Sequence, residues 1–421
     1  MKYLIKNAKI VSKGSTYNGK KMDILVQNGV ITEISRNIET DKATVVKSKN
    51  LHISVGWLDI GTHLGEPGHE HRETMKSLCN AALAGGFTDI APFPNAAPTI
   101  QTKSQIISII NDGNTFGLSI HPIGALSTDT KGENIAEYMD MSAAGAVGFG
   151  DGLQSVQKNG LLLRALQYAK ASNSVVIHHP IDESLANDNQ LHEGLSSLKM
   201  GMKGSPVMAE HIMVDRDIQI QAYTESKLCM HAISSKKSIE LIRNAKSEGL
   251  FASVAYLNLL ANDEDMLDFD TNYKVKPVLR EKSDQQALIK AAAKRQIDYI
   301  CSNHTPLEPE AKVLEFSYAE SGATGLETLY SALNTFTAAN LDITDIIPLL
   351  TTGPRAVLGI ANPKIEEGEQ AKLTCWDPSI NWSYTTANKK SKSANSPFLG
   401  KELEGKVLAT FNGKHCYRAD I

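Results

Sequence analysis

The chain has only five cysteines in 421 residues. Cys79, Cys229, Cys301, Cys375 and Cys416 are widely scattered, odd in number and without any C-x-x-C pair. That pattern excludes a disulfide framework of the secreted kind and predicts reduced thiols in a cytoplasmic protein. Long apolar runs are also missing, since nothing approaches the roughly 18–20 apolar residues that span a bilayer. The stretch from Met1 to Val11 alternates like a strand and lacks the apolar block and small-residue cleavage site of a secretory leader. Neither sign of charge dominates, with 43 Lys and Arg against 47 Asp and Glu. No basic stripe suited to nucleic acid follows from that balance, and the short run Lys389–Lys390–Ser391–Lys392 reads as a solvated loop. Small molecules and other proteins remain as partners.

What the chain does have is hydrophobic content of 42%, enough core for a large domain plus a second module. Residues 1–53 read as short strands with turns at Asn18–Gly19 and Asn28–Gly29. A second strand-rich stretch, Ala371–Asp377 and Gly405–Phe411 with the turn Asn412–Gly413, lies in residues 353–421. Each piece alone has too few strands to bury a face, so the two together predict one small discontinuous β-sandwich domain built from both termini. Between them, over residues 54–352, apolar strand-like runs alternate with helical patterns. Eight candidate strands end at His63, Phe93, Ala125, Asp151, His179, Ile233, Tyr256 and His304, which predicts a (β/α)8 barrel with its functional groups at the carboxyl ends of the strands.

The most telling segment is Asp59–Ile60–Gly61–Thr62–His63–Leu64–Gly65–Glu66–Pro67–Gly68 at the end of the first apolar run. With it go Arg72–Glu73–Thr74, Gly85–Gly86–Phe87–Thr88, Pro94–Asn95, Ser234–Ser235–Lys236–Lys237–Ser238, Lys274–Val275 with Pro277 and Leu279–Arg280, Gly325–Leu326–Glu327–Thr328, and the tail Ser391–Gly400. In this order these segments resemble the long bacterial type of dihydroorotase. Those amidohydrolases interconvert carbamoyl aspartate and dihydroorotate in pyrimidine biosynthesis. The resemblance runs nearly end to end and implies a metal-dependent-hydrolase barrel.

Residue by residue, the resemblance implies a divided site. Of the family's metal ligands, His63, Asp151 and His178 stand at matching positions. Gly61 replaces one histidine of the H-x-H pair, Ala232 replaces the sixth-strand histidine, and Asn303 replaces the eighth-strand aspartate that binds metal and shuttles a proton. On the substrate side, Gly65 replaces the arginine that holds a carboxylate, while Asn95 remains as a second anchor. Lys276 replaces an asparagine and Leu307 a histidine. A lost charged hydrogen bond of the arginine kind weakens binding by roughly 1.5–3 kcal/mol.

Opening a cyclic amide at neutral pH needs an activated water and a place for oxyanion charge, both of which a divalent metal supplies. Three protein ligands and an open position suffice for a catalytic zinc. The retained set therefore allows one zinc at most, or none, and replacement of the shuttling aspartate by Asn303 removes about 10²–10⁴ in rate. His231, beside Ala232, is the available substitute ligand, although strand alternation turns both His231 and His179 toward the helices unless a bulge intervenes. His69, His71, His121 and His304 read first as loop, packing or hydrogen-bonding residues, and Asp151 and Asn95 have ordinary turn and capping roles available.

Two functions are in play, beside a purely binding barrel that senses dihydroorotate or carbamoyl aspartate with Asn95 and Lys276 as its only support. One is a catalytically impaired or inactive dihydroorotase homologue, kept for assembly; the resemblance then implies aspartate transcarbamoylase as partner, alongside self-association. The other is an active zinc-dependent cyclic amidohydrolase with a one-metal site.

Overall fold

A computed structural model describes residues 1–186, 190–245 and 247–419. Among them, no helix is long and apolar enough to cross a membrane. The two ends of the chain form one discontinuous β domain. Its eight strands make a continuous hydrogen-bonded sheet in which His52–Val55 pairs on one side with Lys2–Ile10 and on the other with Lys372–Ser383. The sheet encloses its own apolar core around Ile5, Ile24, Ile53, Leu373 and Phe411.

After Gly56 the chain enters the barrel. Eight parallel strand positions follow: Trp57–Ile60, Phe87–Ala91, a third broken into Ser119–Ile120 and Ile123–Ala125, Gly148–Gly150, Val175–His178, Leu228–Met230, Leu250–Ala255 and Tyr299–Cys301. The break in the third strand separates two hydrogen-bonded arcs. Ile123 N–H donates to Pro92 O at 3.1 Å across that break. At the other seam, His63 N–H donates to His304 O at 3.0 Å. Below it, the Asp59 carboxylate accepts from Ser302 N–H and Ser302 Oγ, each at 2.6 Å, joining the first strand to the eighth.

Alternation along the strands sorts the side chains into two cores. Leu58, Ile60, Ala91, Phe93, Ile123, Val175, Ile177, Cys229, Tyr299 and Cys301 fill the lumen, and Val357 and Leu358 of the helix Thr352–Leu358 pack with them. Trp57, Ile90, Val176, Met230 and Ile300 face the surrounding helices. The barrel is therefore a packed core, as its period-two pattern requires.

Barrel and β domain share an aromatic junction. Trp57 is fully buried, with ring centroids 5.5 Å from Trp376 and 5.2 Å from Tyr330. Beside it lies a buried charge cluster centred on Asp89. Its carboxylate accepts from Arg355 at 2.7 Å, Lys372 at 2.7 Å and His121 at 2.8 Å, tying the second strand to the closing helix, the terminal sheet and the third strand. Burial opposes the charge, but the His121 hydrogen bond and the two cations outweigh it and hold this carboxyl well below the usual carboxylate range.

A carboxylate with a depressed folded-state pKa stabilises the fold above its unfolded value of about 3.9 and loses that contribution as pH falls below it. Asp89→Asn, which strands Arg355, should lower stability by about 3–5 kcal/mol in urea unfolding at neutral pH. It should also flatten the acid limb of the stability profile; an unchanged acid limb would remove Asp89 as its source.

Candidate functional site

The carboxyl ends of the strands gather most of the residues that the sequence singles out, but not as a metal-ligand set. At the end of the first strand, Gly61 has φ +100°, a region reserved in practice for glycine, and a Cβ there would lie 2.6 Å from His231 Cε1 and 2.7 Å from Nε2. The imidazole of His231 thus occupies the room a side chain at 61 would need. His231 is fully buried in the lumen, its ring centroid 4.9 Å from that of Phe93 and its Nδ1 hydrogen-bonded to the Tyr299 hydroxyl at 2.9 Å. The expected turn toward the helices does not occur, because Cys229 and His231 share the lumen face while Leu228 and Met230 face outward. Ala232 follows at φ +53° as the chain leaves the strand.

The fifth strand has the same parity. Val175 and Ile177 point inward, Val176 and His178 outward. His178 is consequently committed to the helix layer, where Nδ1–H donates to Asp217 Oδ2 at 2.6 Å and Nε2 accepts from Val156 N–H at 2.9 Å. Neither ring nitrogen is left for a metal. The next residue, His179, is the one on the lumen side, and its Nδ1 is hydrogen-bonded to His231 O at 3.1 Å. Burial pushes its pKa down to about 4.

Asp151 is likewise spent on structure. Oδ1 accepts from Leu126 N–H at 3.0 Å and Ser127 N–H at 2.9 Å, and Oδ2 from Ser127 Oγ at 2.5 Å. Burial raises this carboxyl to about 6 against those hydrogen bonds. His63 differs from both. Among the described residues its buried Nε2 has no hydrogen-bond partner, and burial together with the nearby His304 lowers its pKa to about 4.

His63, Asp151 and His178 are therefore not brought together. Among the described residues, no group of three or more His, Cys, Asp or Glu is arranged to hold a metal ion. The donor set does not fit the centre that the resemblance implies: among the described residues, His63 alone of the three keeps an unbonded ring nitrogen, beside a lumen filled by Phe93, His231 and Tyr299. Asn303, at φ +47°, donates through Nδ2 to Lys276 O at 2.7 Å, while its buried Oδ1 has no partner among the described residues. His304 accepts from Gly325 N–H at Nδ1, 3.1 Å, and stands 3.4 Å from Glu73 Oε2.

The substrate-side positions are equally specific. A Cβ on Gly65 would lie 2.1 Å from the carbonyl oxygen of Glu73, so no larger residue fits without moving that loop. Asn95 donates to Asp151 O at 3.2 Å and keeps an unpartnered Oδ1. Leu307 is buried beneath the tail, its N–H donating to Asn395 Oδ1 at 3.1 Å. Lys276 is exposed and lines a cavity of about 370 Å³ together with His179, Ser205 and Arg280.

Sequence reasoning missed Phe93 and Tyr299 as lumen fillers, and Arg280 as a cavity residue. For the first two, the signal was the apolar alternation itself.

Relatives place this geometry. A family model described as dihydro-orotase-like matches residues 52–238. A dihydroorotase of Acetivibrio thermocellus is 35% identical over 424 residues, covering 99% of each chain, and one of Pelotomaculum thermopropionicum is 36% identical, covering 98% of this chain and 97% of its own. This chain belongs to the dihydroorotase family. Its fold matches solved amidohydrolase barrels: an L-hydantoinase from Arthrobacter aurescens superposes with a TM-score of 0.85 at 21% identity, covering 100% of this chain and 97% of its own. A dihydropyrimidinase from Brevibacillus agri gives 0.81 at 17%, covering 99% and 95%.

The contact between Gly61 and His231 makes a test. Gly61→Ala should cost about 1–3 kcal/mol for backbone strain alone, with the ring clash added. His231→Ala in the same background should return the steric part, a coupling of about 0.5–3 kcal/mol in a double-mutant cycle read by urea unfolding. Strict additivity would mean that the ring does not fill the space at 61.

Proposed function

We propose that this chain is a dihydroorotase-family protein of pyrimidine biosynthesis whose hydrolytic centre has been dismantled and whose scaffold is retained for assembly, with aspartate transcarbamoylase as partner. The observation that carries the reading is the His231 ring standing where a side chain at position 61 would be. Amide hydrolysis in this family's manner needs an activated water and a proton shuttle. Here the atoms of Asp151 and His178 that would serve are used up in the fold, and Asn303 offers an amide already bonded to Lys276 O.

One observation favours the rival reading, an active cyclic amidohydrolase with a single zinc. The unpartnered Nε2 of His63 is a donor atom without another use.

Purified protein with zinc in excess, assayed for bound metal and for dihydroorotate hydrolysis beside His63→Ala, separates the two. We expect substoichiometric zinc and background rates for both proteins. A rate abolished by His63→Ala, with one zinc per chain, would establish the active reading instead. Mixed with aspartate transcarbamoylase at micromolar concentration, the chain should co-elute in gel filtration; separate elution would remove the assembly role.

A further inference from the structure

Two connections, residues 261–274 after the seventh strand and residues 305–322 after the eighth, are fastened to each other by a pair of buried lysines. Lys312 Nζ donates to the carbonyls of Thr271, Glu320 at 2.9 Å and Gly322 at 3.1 Å, and Thr271 Oγ1 donates back to Lys312 O at 2.9 Å. Lys274 Nζ donates to the carbonyls of Phe316 at 2.7 Å, Ser317 at 3.2 Å and Ala319. Each ammonium spends its three N–H donors on main-chain oxygens, so the two segments are set against one another before anything binds.

Between them lies an open groove of about 770 Å³ lined by Phe269, Thr271, Lys312, Val313 and Leu314, with Asp270 and Glu315. Phe269 is 50% exposed, Val313 80% and Leu314 45%. A single exposed apolar side chain means little, but three sharing one groove on fastened backbone mark a contact surface. The rim is acidic. Residues 263–274 contain five carboxylates and residues 308–320 four, and the only cations in either segment are the two buried lysines. Arg72 pairs with Glu308 and Glu320, whereas Asp268, Glu310 and Glu315 are exposed and in no ion pair among the described residues. This sign of charge selects the occupant. A second copy presenting its own groove across a two-fold axis would set acid against acid. Anionic lipid and nucleic acid would be repelled in the same way.

We propose that this groove docks a different protein, through an aliphatic or aromatic anchor framed by Lys and Arg. The anchor buries against Phe269, Val313 and Leu314, and the basic frame meets Asp268, Glu310 and Glu315. Because the walls are already fixed, little ordering entropy is lost on this side of the interface. The proposal extends the assembly reading to a face and a partner chemistry, and it does not depend on the partner's identity.

Fluorescence anisotropy of a labelled amphipathic peptide of Leu and Lys, titrated with the full chain at about 0.15 M salt, tests the groove. That peptide should bind and a Leu and Glu counterpart should not. Val313→Asp, and separately Asp268→Lys combined with Glu315→Lys, should each weaken binding about tenfold or more. Glu39→Lys, exposed on the β domain, should leave it unchanged. All these side chains are exposed, so the variants should keep the wild-type midpoint in urea. No binding of the Leu and Lys peptide, or binding that survives either groove variant, would overturn the assignment. Gel filtration with aspartate transcarbamoylase separates this proposal from the assembly reading. Co-elution unchanged by Val313→Asp would leave assembly intact and overturn the groove as its docking face. Separate elution of the wild type, with peptide binding lost in the groove variants, would end the transcarbamoylase assignment and uphold the groove.

Discussion

Asp59 holds the seam on which the barrel mouth is built. Its two oxygens accept from Ser302 N–H, Ser302 Oγ and Thr62 Oγ1, so one side chain fixes the first strand's exit against the eighth strand's. Burial drives this carboxyl's pKa up, and the three donors pull against that. Immediately above the seam lie Gly61, His63, Asn303 and His304, whose relative positions follow from it. The His63–His304 backbone bond is the next rung of the same closure.

Much of this was legible in the sequence. The third strand ends at Ala125 as expected, and the others end within three residues of the expected positions, because apolar runs with helical segments between them leave few alternatives. Joining of the two terminal segments in one sheet followed from the same need to bury a face. Parity at the strand ends was harder. In His178–His179 and His231–Ala232, two adjacent candidates offer opposite faces, and the choice depends on which neighbours pack inward. Val175 and Ile177 decide it at one strand, Cys229 at the other, and no spacing rule within the motif announces either. Positive φ at Gly61, Ala232 and Asn303 then bends the chain at the very positions where a side chain's direction matters.

The segments that carry the family resemblance have a common structural employment. Glu73 accepts from Lys392 N–H at 2.9 Å and from Ser391 Oγ, while Glu327 accepts from Lys390 and Ser391 N–H. Asn395 donates to Thr305 O and Gly322 O. These bonds lay the tail across the barrel mouth and join loops that follow the first and eighth strands. A buried hydrogen-bond network of this kind is held together by the penalty for leaving any member unpaired. Tail and loop motifs are therefore set independently of the lumen, because the two sets of residues answer to different physical demands.

The residues that fill the lumen also depend on one another. The carbonyl of Glu73 lies where a Cβ at Gly65 would be, and Glu73 is pinned by the tail, so an arginine at 65 requires a different loop and not merely a different residue. In the same way a histidine at 61 requires the His231 ring to leave, and that ring is held by Tyr299 and packed on Phe93. A side chain at either position would meet a filled space. The site is a packed solution of its own, in which neighbours take the space beside Gly61 and Gly65 at the density that protein interiors demand. A cavity of about 370 Å³ lies beside Arg280, whose buried Nη2 has no hydrogen-bond partner among the described residues.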